Sequence, residues 1–320
     1  MPSSTGTANV LRNINSFMDR MIPVTTPLSI ALGFLLPGVF IHLRPFVPWL
    51  FGIMTFSGAL KLRARELGDS VRSPAPILLF FASAHILMPL AAMLVSSLFF
   101  DNPDLVTGFV LLFSGPTAVS GFIWVSILKG DMALCLTLIL IDTLLAPLVV
   151  PGSVSILMGA KTAMDSGGIA VSLLFMVVVP TIIAVTVNET SKGRIPALIC
   201  PYLDPFAKIC LMLVIAANAA HVDPWIRFSD PLVWKTALFV ILLTSAGFLV
   251  VKLVSVMGKC RGGKDITMII CGGLRNNSAI MTIAVTFFPE AAVLPTLLSI
   301  VFQQTIAAFM GKLFAKSKDQ

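Results

Sequence analysis

Charge is what this chain has least of. Only 12% of its 320 residues are charged, against about 25% in an ordinary soluble domain. Hydrophobic residues make up 57%, and the mean hydropathy is +0.97. Several apolar runs exceed about 18 residues, so a soluble enzyme, a disordered chain and a peripheral membrane protein are excluded. The runs are continuous and not alternating, which excludes a β-barrel. Cysteine is also scarce. Cys135, Cys200, Cys210, Cys260 and Cys271 are odd in number, form no C-x-x-C and lie mostly in or beside apolar spans. No disulfide framework or zinc site is expected. No H-E-x-x-H, P-loop or G-x-G-x-x-G motif occurs, and no stretch is large enough for a soluble ATPase domain. The chain reads as no enzyme and calls for no organic cofactor. Its net charge of +7 is spread over short loops, so nucleic acid is not an expected partner and no obligate protein partner is indicated. The first twenty residues hold no uninterrupted apolar run, and no cleavable signal peptide is expected.

What remains is an all-α polytopic membrane protein with the lipid bilayer as its surroundings. Ten spans are predicted, at 22–43, 45–61, 77–99, 104–127, 131–157, 168–187, 204–221, 232–257, 265–287 and 291–314. Residues 1–21 form an N-terminal segment in which 8–21 reads as an interfacial helix. The long polar connections are 62–76 and 188–203. Of the 22 basic residues, all but five fall on the side that holds both termini. Four lie opposite (Arg44, Lys161, Arg227 and Lys235), and Arg275 belongs to neither side. The positive-inside rule puts both termini in the cytoplasm and the chain in the plasma (inner) membrane.

Ten spans divide into five and five. An odd-numbered unit in tandem reverses its orientation, which is the plan of inverted repeats. The expected units are 22–158 and 159–320. At an offset of 158 residues, Gly115 meets Gly273, Ser120 meets Ser278 and Ala133 meets Ala291. What repeats is a glycine-bearing polar break, an apolar stretch, a turn and a long helix. The breaks fall in the fourth and ninth spans, and paired interruptions of this kind mark a transport site.

The first break is Ser114-Gly115-Pro116-Thr117-Ala118-Val119-Ser120-Gly121. Proline removes a donor and glycine leaves helical geometry cheaply. Unwound backbone at this depth is tolerated only where protein or a wet cavity satisfies it. The second break is Gly272-Gly273-Leu274-Arg275-Asn276-Asn277-Ser278. Arg275 lies too deep to snorkel, and a charge there costs about 2.5–3.5 kcal/mol on insertion scales. Asp142 is the one acid far from any span end. The two lone deep charges are expected to meet or to share a cavity. Two readings stand: a buried ion pair that fixes packing, or a coupling pair in which Asp142 titrates or binds a cation and Arg275 draws an anion. Gln303 and Gln304 in the tenth span serve the opposing break or bond between helices. Asn218 and His85 read as hydrogen-bonded packing residues, although a histidine could titrate near neutral pH.

At these breaks the sequence resembles the bile acid:sodium symporter superfamily, most specifically in GPTAVSGFIWVSILKGDMAL…LLAPLVVP and GLRNNSAIMTIAVTFFPEAAVLPTLLSIVFQQ. The resemblance implies a panel domain (helices 1, 2, 6 and 7) and a core domain (helices 3–5 and 8–10). Unwound helices 4 and 9 would cross at the substrate site. It implies substrate contact at Thr117, Asn277 and Gln303. The polar residues of the breaks add Ser120, Arg275, Asn276 and Ser278 as candidates for binding a small organic anion. The symporters' sodium ligands on helix nine, a glutamate and a glutamine, correspond here to Gly272 and Asn276. Their hydroxyl residues on helix five correspond to Cys135 and Ile139. Sodium wants oxygen ligands, which these positions largely lack. The expectation is an organic-anion secondary transporter in which Arg275 stands as a built-in cation with Asp142 as its counter-charge. Two alternatives remain: sodium symport retained through Ser120 and Asn276, and a transporter-like anion sensor.

Overall fold

The computed structural model describes residues 4–62, 74–159, 164–222, 229–261 and 263–316. The described residues are helical, with one isolated antiparallel bridge and no strand. In chain order the helices are α1 (Ser4–Leu35), α2 (Pro37–Ala59), α3 (Ala75–Phe99), α4 (Pro103–Ser114), α5 (Gly121–Ile127), α6 (Met132–Met158), α7 (Ser166–Thr190), α8 (Arg194–Val222), α9 (Pro231–Met257), α10 (Lys264–Gly273), α11 (Asn277–Phe287) and α12 (Glu290–Lys316). Helix starts are chemically marked. Asn102, Asp131, Asp230 and Asn276 each accept a hydrogen bond from an N–H in the first turn that follows, satisfying donors that have no intrahelical partner.

Seven helices among the described residues are long and apolar enough to cross a membrane: α2, α3, α6, α7, α8, α9 and α12. The ten predicted spans are therefore not ten full-length helices. The predicted fourth span is α4 plus α5 and the ninth is α10 plus α11, each divided at its break. The first contributes only Val24–Leu35 as a short apolar helix. Residues 8–21 are helical and continue into that span without interruption. The predicted polar connection 188–203 is also corrected. Only Ser191–Gly193 separates α7 from α8. Lys192 and Gly193 take positive φ of 53° and 80°, which turns the chain within three residues, and the polar residues around them lie in helix ends. Arg63, Arg65 and Arg72 of the predicted connection 62–76, together with Lys161, Arg227 and Lys318, lie outside the described residues.

The chain separates into two compact units. Unit 1 comprises Met1–Arg63 and Leu174–Asp223, that is α1, α2, the later part of α7, and α8. Here α1 meets α8 through small residues. A Cβ on Gly33 would sit 2.4 Å from the Ala216 carbonyl oxygen and 2.8 Å from the Ala219 Cβ, so only glycine permits this approach. Asn188 donates to the carbonyls of Leu60 and Leu62 at 2.9 Å each and closes the end of α2. Asp204 accepts from Ser57 at 2.8 Å and pairs with Lys61 at 2.9 Å.

Unit 2 comprises Ala64–Leu173 and Pro224–Gln320. It holds α3 to α6, the first part of α7, and α9 to α12. Its centre is α6 and α12, whose most apolar windows are 67% and 61% buried, against 11% for α2 and 17% for α8. Close approach recurs where Gly108 of α4 meets α12. A Cβ there would lie 2.3 Å from the Ala292 carbonyl oxygen.

Two helices carry a π turn, Ala82–Leu87 in α3 and Leu174–Val178 in α7. Each is followed by proline, at Pro89 and Pro180. Proline has no N–H to return to the preceding turn, and a widened turn is one way the ladder resolves this.

Candidate functional site

Both breaks lie in unit 2, and there they touch. Gly115 is extended (φ −62°, ψ 151°), as is Leu274 (φ −99°, ψ 118°). The Ala118 N–H donates to the Leu274 carbonyl at 3.1 Å, and the Asn276 N–H donates to the Pro116 carbonyl at 2.7 Å. Thr117 and Arg275 thus face each other as the non-hydrogen-bonded pair of a single antiparallel bridge. They stand 158 residues apart, the offset at which the two breaks align in the sequence.

In such a pair the N–H and C=O of the two facing residues turn outward. Buried backbone groups need partners, and Thr117 and Arg275 are 1% and 2% exposed. The long helix after each break supplies them. From α6, Asp142 accepts the Thr117 N–H at 2.7 Å. From α12, Gln303 accepts the Arg275 N–H at 3.0 Å and donates to the Arg275 carbonyl at 2.9 Å. The first break is held by a carboxylate and the second by an amide. The Thr117 hydroxyl donates to the Cys271 carbonyl at 3.0 Å, one of the carbonyls that the end of α10 leaves free.

The Arg275 guanidinium donates to the carbonyls of Gly115 at 3.2 Å and Ala84 at 2.9 Å. Both acceptors are explained locally. Gly115 has left the helix. Ala84 lies in the π turn, where the Met88 N–H bonds the Ser83 carbonyl and the residue that would reach Ala84 is Pro89, which has no N–H. Asp142 is buried completely. Its other oxygen lies 2.9 Å from His85 Nε2. Arg275 acts on Asp142 electrostatically, but its own hydrogen bonds go to the two carbonyls. The two lone deep charges therefore share one cluster without a direct ion pair, and His85 is the group that contacts the acid.

The remaining candidates divide by exposure. Asn277 is buried and donates to the Ser299 hydroxyl at 2.7 Å. Its Oδ1, Arg275 Nε, both ring nitrogens of His85 and the Asp142 Oδ1 that faces them have no hydrogen-bond partner among the described residues. Ser120, Asn276 and Ser278 are half-buried, and Asn276 also caps α11 through the Ala279 N–H at 3.3 Å. Gln304 accepts from Trp124 Nε1 at 3.0 Å, joining α12 to α5. Both the oxygen and the nitrogen of the Gln303 amide are engaged on Arg275, so contact with a ligand needs its second lone pair or its second N–H.

The resemblance sets Cys135, Ile139, Gly272 and Asn276 against the symporters' sodium ligands. Cys135 and Ile139 are fully buried, and Cys135 Sγ lies 3.6 Å from Cys271 Sγ. At Gly272 a side chain would collide with Val251 at 2.6 Å. No group of three or more His, Cys, Asp or Glu suited to a metal occurs among the described residues. His85 joins the cluster of deep charges beside Asp142. Its signal in the sequence is a histidine inside a span four residues before a proline.

The sodium bile acid symporter family matches residues 48–223, which include the first break. The chain belongs to the sodium bile acid symporter family. It is an integral membrane protein, and the family is one of transporters. An uncharacterized Bacillus subtilis (strain 168) protein, YbaS, is 36% identical over 91% of this chain and 95% of its own length. A probable chloroplastic sodium/metabolite cotransporter of Oryza sativa subsp. japonica, BASS3, is 24% identical over 97% of this chain and 73% of its own. YocS of Bacillus subtilis (strain 168), an uncharacterized sodium-dependent transporter, is 23% identical over 58% of each chain.

Proposed function

We propose that this family member is a secondary active transporter that moves a small or amphipathic organic anion by alternating access. On this reading it sits in the plasma (inner) membrane with both termini in the cytoplasm. Units 1 and 2 serve as panel and core, and the pairing of Thr117 with Arg275 at the repeat offset supports two inverted five-span repeats. Half-buried Ser120, Asn276 and Ser278 line the anion's approach, and the N-terminus of α11 adds donors of the right sign.

The observation that carries the reading is the Arg275 guanidinium on two backbone carbonyls beside the Asp142 carboxylate. Carbonyl and carboxylate oxygens are what a hard cation would coordinate. Here a fixed positive charge takes the two carbonyls and stands beside the carboxylate, and transport is sodium-independent. The test is uptake of a labelled bile acid and of labelled short carboxylates into proteoliposomes, with sodium replaced by choline. The expected result is saturable uptake of one class at an unchanged rate. Sodium-dependent uptake that persists in Arg275→Ala would sink it.

A second reading keeps sodium symport through Ser120 and Asn276. It is favoured by the half-exposure of those two residues and by the sodium-dependent names of the relatives. A transporter-like anion sensor differs from both in giving ligand binding without saturable uptake.

A further inference from the structure

Asp142 is shared. One oxygen holds the backbone of the first break through Thr117 N–H at 2.7 Å, and the other faces His85 Nε2 at 2.9 Å. That contact is a charge-pair distance without hydrogen-bond alignment, and both ring nitrogens of His85 are buried with no hydrogen-bond partner among the described residues. The π turn that aims His85 at Asp142 is the same turn that frees the Ala84 carbonyl for Arg275.

We propose that His85 is a proton-binding site: a proton taken up by the ring gives an imidazolium beside the Asp142 carboxylate, and that proton stands where the family couples to sodium. The proposal deepens the sodium-independent reading above and rests on it. With His85 neutral, Asp142 and Arg275 cancel. With His85 protonated, the cluster gains one positive charge next to the crossing, which favours a substrate carboxylate at the half-buried residues. The step moves one proton and needs no other reactant.

The surroundings suit this role. Phe81 stacks on the imidazole at 5.4 Å and 26°, and Phe80 meets it edge-on at 6.3 Å. An aromatic face favours a cation. The titratable and charged groups that face it are Asp142 from α6, Arg275 from the second break and, beyond Asp142, the Cys271 thiol of α10. The other charges on the helices packed around this turn are engaged elsewhere or sit at helix ends. Lys235 of α9 lies over Phe100, and Lys252 lies over Phe314. Asp104 of α4, and Lys264 and Asp265 of α10, lie in first turns.

The native protein has three histidines, so full-length protein labelled with ¹⁵N-histidine and held in liposomes gives a readable titration. We expect one ring to change protonation within the pH range over which the protein stays folded and to be assigned by its loss in His85→Gln. In Asp142→Asn that transition should move, while the His42 and His221 signals stay put. On solid-supported membranes a substrate-free pH jump should give a transient current that His85→Gln abolishes and His42→Gln retains. A His85 ring fixed in one protonation state throughout that range, or a current that survives His85→Gln, overturns the proposal. Should His85→Gln not fold, the titration of native protein against Asp142→Asn still decides. A thermal shift with sodium at fixed pH separates the two readings. Sodium stabilisation defeats the built-in cation whatever His85 does. A silent His85 without a sodium effect defeats the proton site alone.

Discussion

The two breaks solve one problem with different chemistry. Each leaves a peptide facing outward from the bridge, and each is completed by the long helix that follows it in the chain. At the second break the partner is the Gln303 amide, which donates and accepts at 2.9 and 3.0 Å. An amide imitates a neighbouring strand and carries no charge. At the first break the partner is the Asp142 carboxylate, which accepts from Thr117 at 2.7 Å and carries a charge that needs compensation. Arg275 provides it. The amide-held break is therefore indifferent to pH, and the carboxylate-held break is tied to every charge in the cluster.

Removing the compensation should cost most. Arg275→Ala leaves two buried carbonyls and a buried carboxylate without their cation, and breaking such a set costs about 3–5 kcal/mol. Denaturant unfolding in detergent should show this, together with loss of uptake. Arg275→Lys should not rescue it, because one ammonium cannot fork to Gly115 and Ala84.

The next test exchanges the holders. Asp142→Asn keeps an acceptor for Thr117 N–H but strands the Arg275 charge, so a cost of about 1–3 kcal/mol is expected. The double variant with Arg275→Gln should lose less than the sum of the singles, since both charges leave together. Additive losses in a double-mutant cycle would show that the two residues act separately.

Gln303→Glu removes the donor to the Arg275 carbonyl and puts an acid at the second break as well. A loss of about 1–3 kcal/mol should come with new pH dependence of thermal stability. If the melting profile against pH matches that of the parent, the contrast between the breaks has no consequence. Thr117→Val deletes only the hydroxyl to Cys271 and should cost about 1 kcal/mol, with Thr117→Ser near the parent. Smallest in stability are Ser120→Ala and Ser278→Ala, within about 0.5 kcal/mol. Their effect belongs in the KM for the anion.

Much of this site is legible in the sequence for a physical reason. Arg275 and Asp142 are costly at their depth, and glycine with proline interrupts a helix wherever it occurs, so both breaks and both charges stand out from their surroundings. The role of His85 does not stand out. It depends on Pro89 widening a turn and on an acid 57 residues away, and neither is local to a histidine in an apolar span. Gln303 could be tied to a break but not to which of its atoms is engaged. Hydropathy alone shows 104–127 and 265–287 as single spans, and only the polar, glycine-bearing breaks reveal the helix ends inside them. The connection 188–203 misled: polar residues that complete helix termini look like loop when only their composition is read.

The bridge between the breaks is made of main-chain atoms. Its hydrogen bonds join Ala118 to Leu274 and Asn276 to Pro116, and neither uses a side chain. The frame of the crossing is thus indifferent to what is mounted on it at Ser120 and Ser278. A descendant lineage, or an engineer, can exchange those side chains to suit a larger or more polar cargo while the joint stays intact. On the proposed reading, specificity and mechanism lie in different parts of the same two short stretches, and each can be revised without rewriting the other.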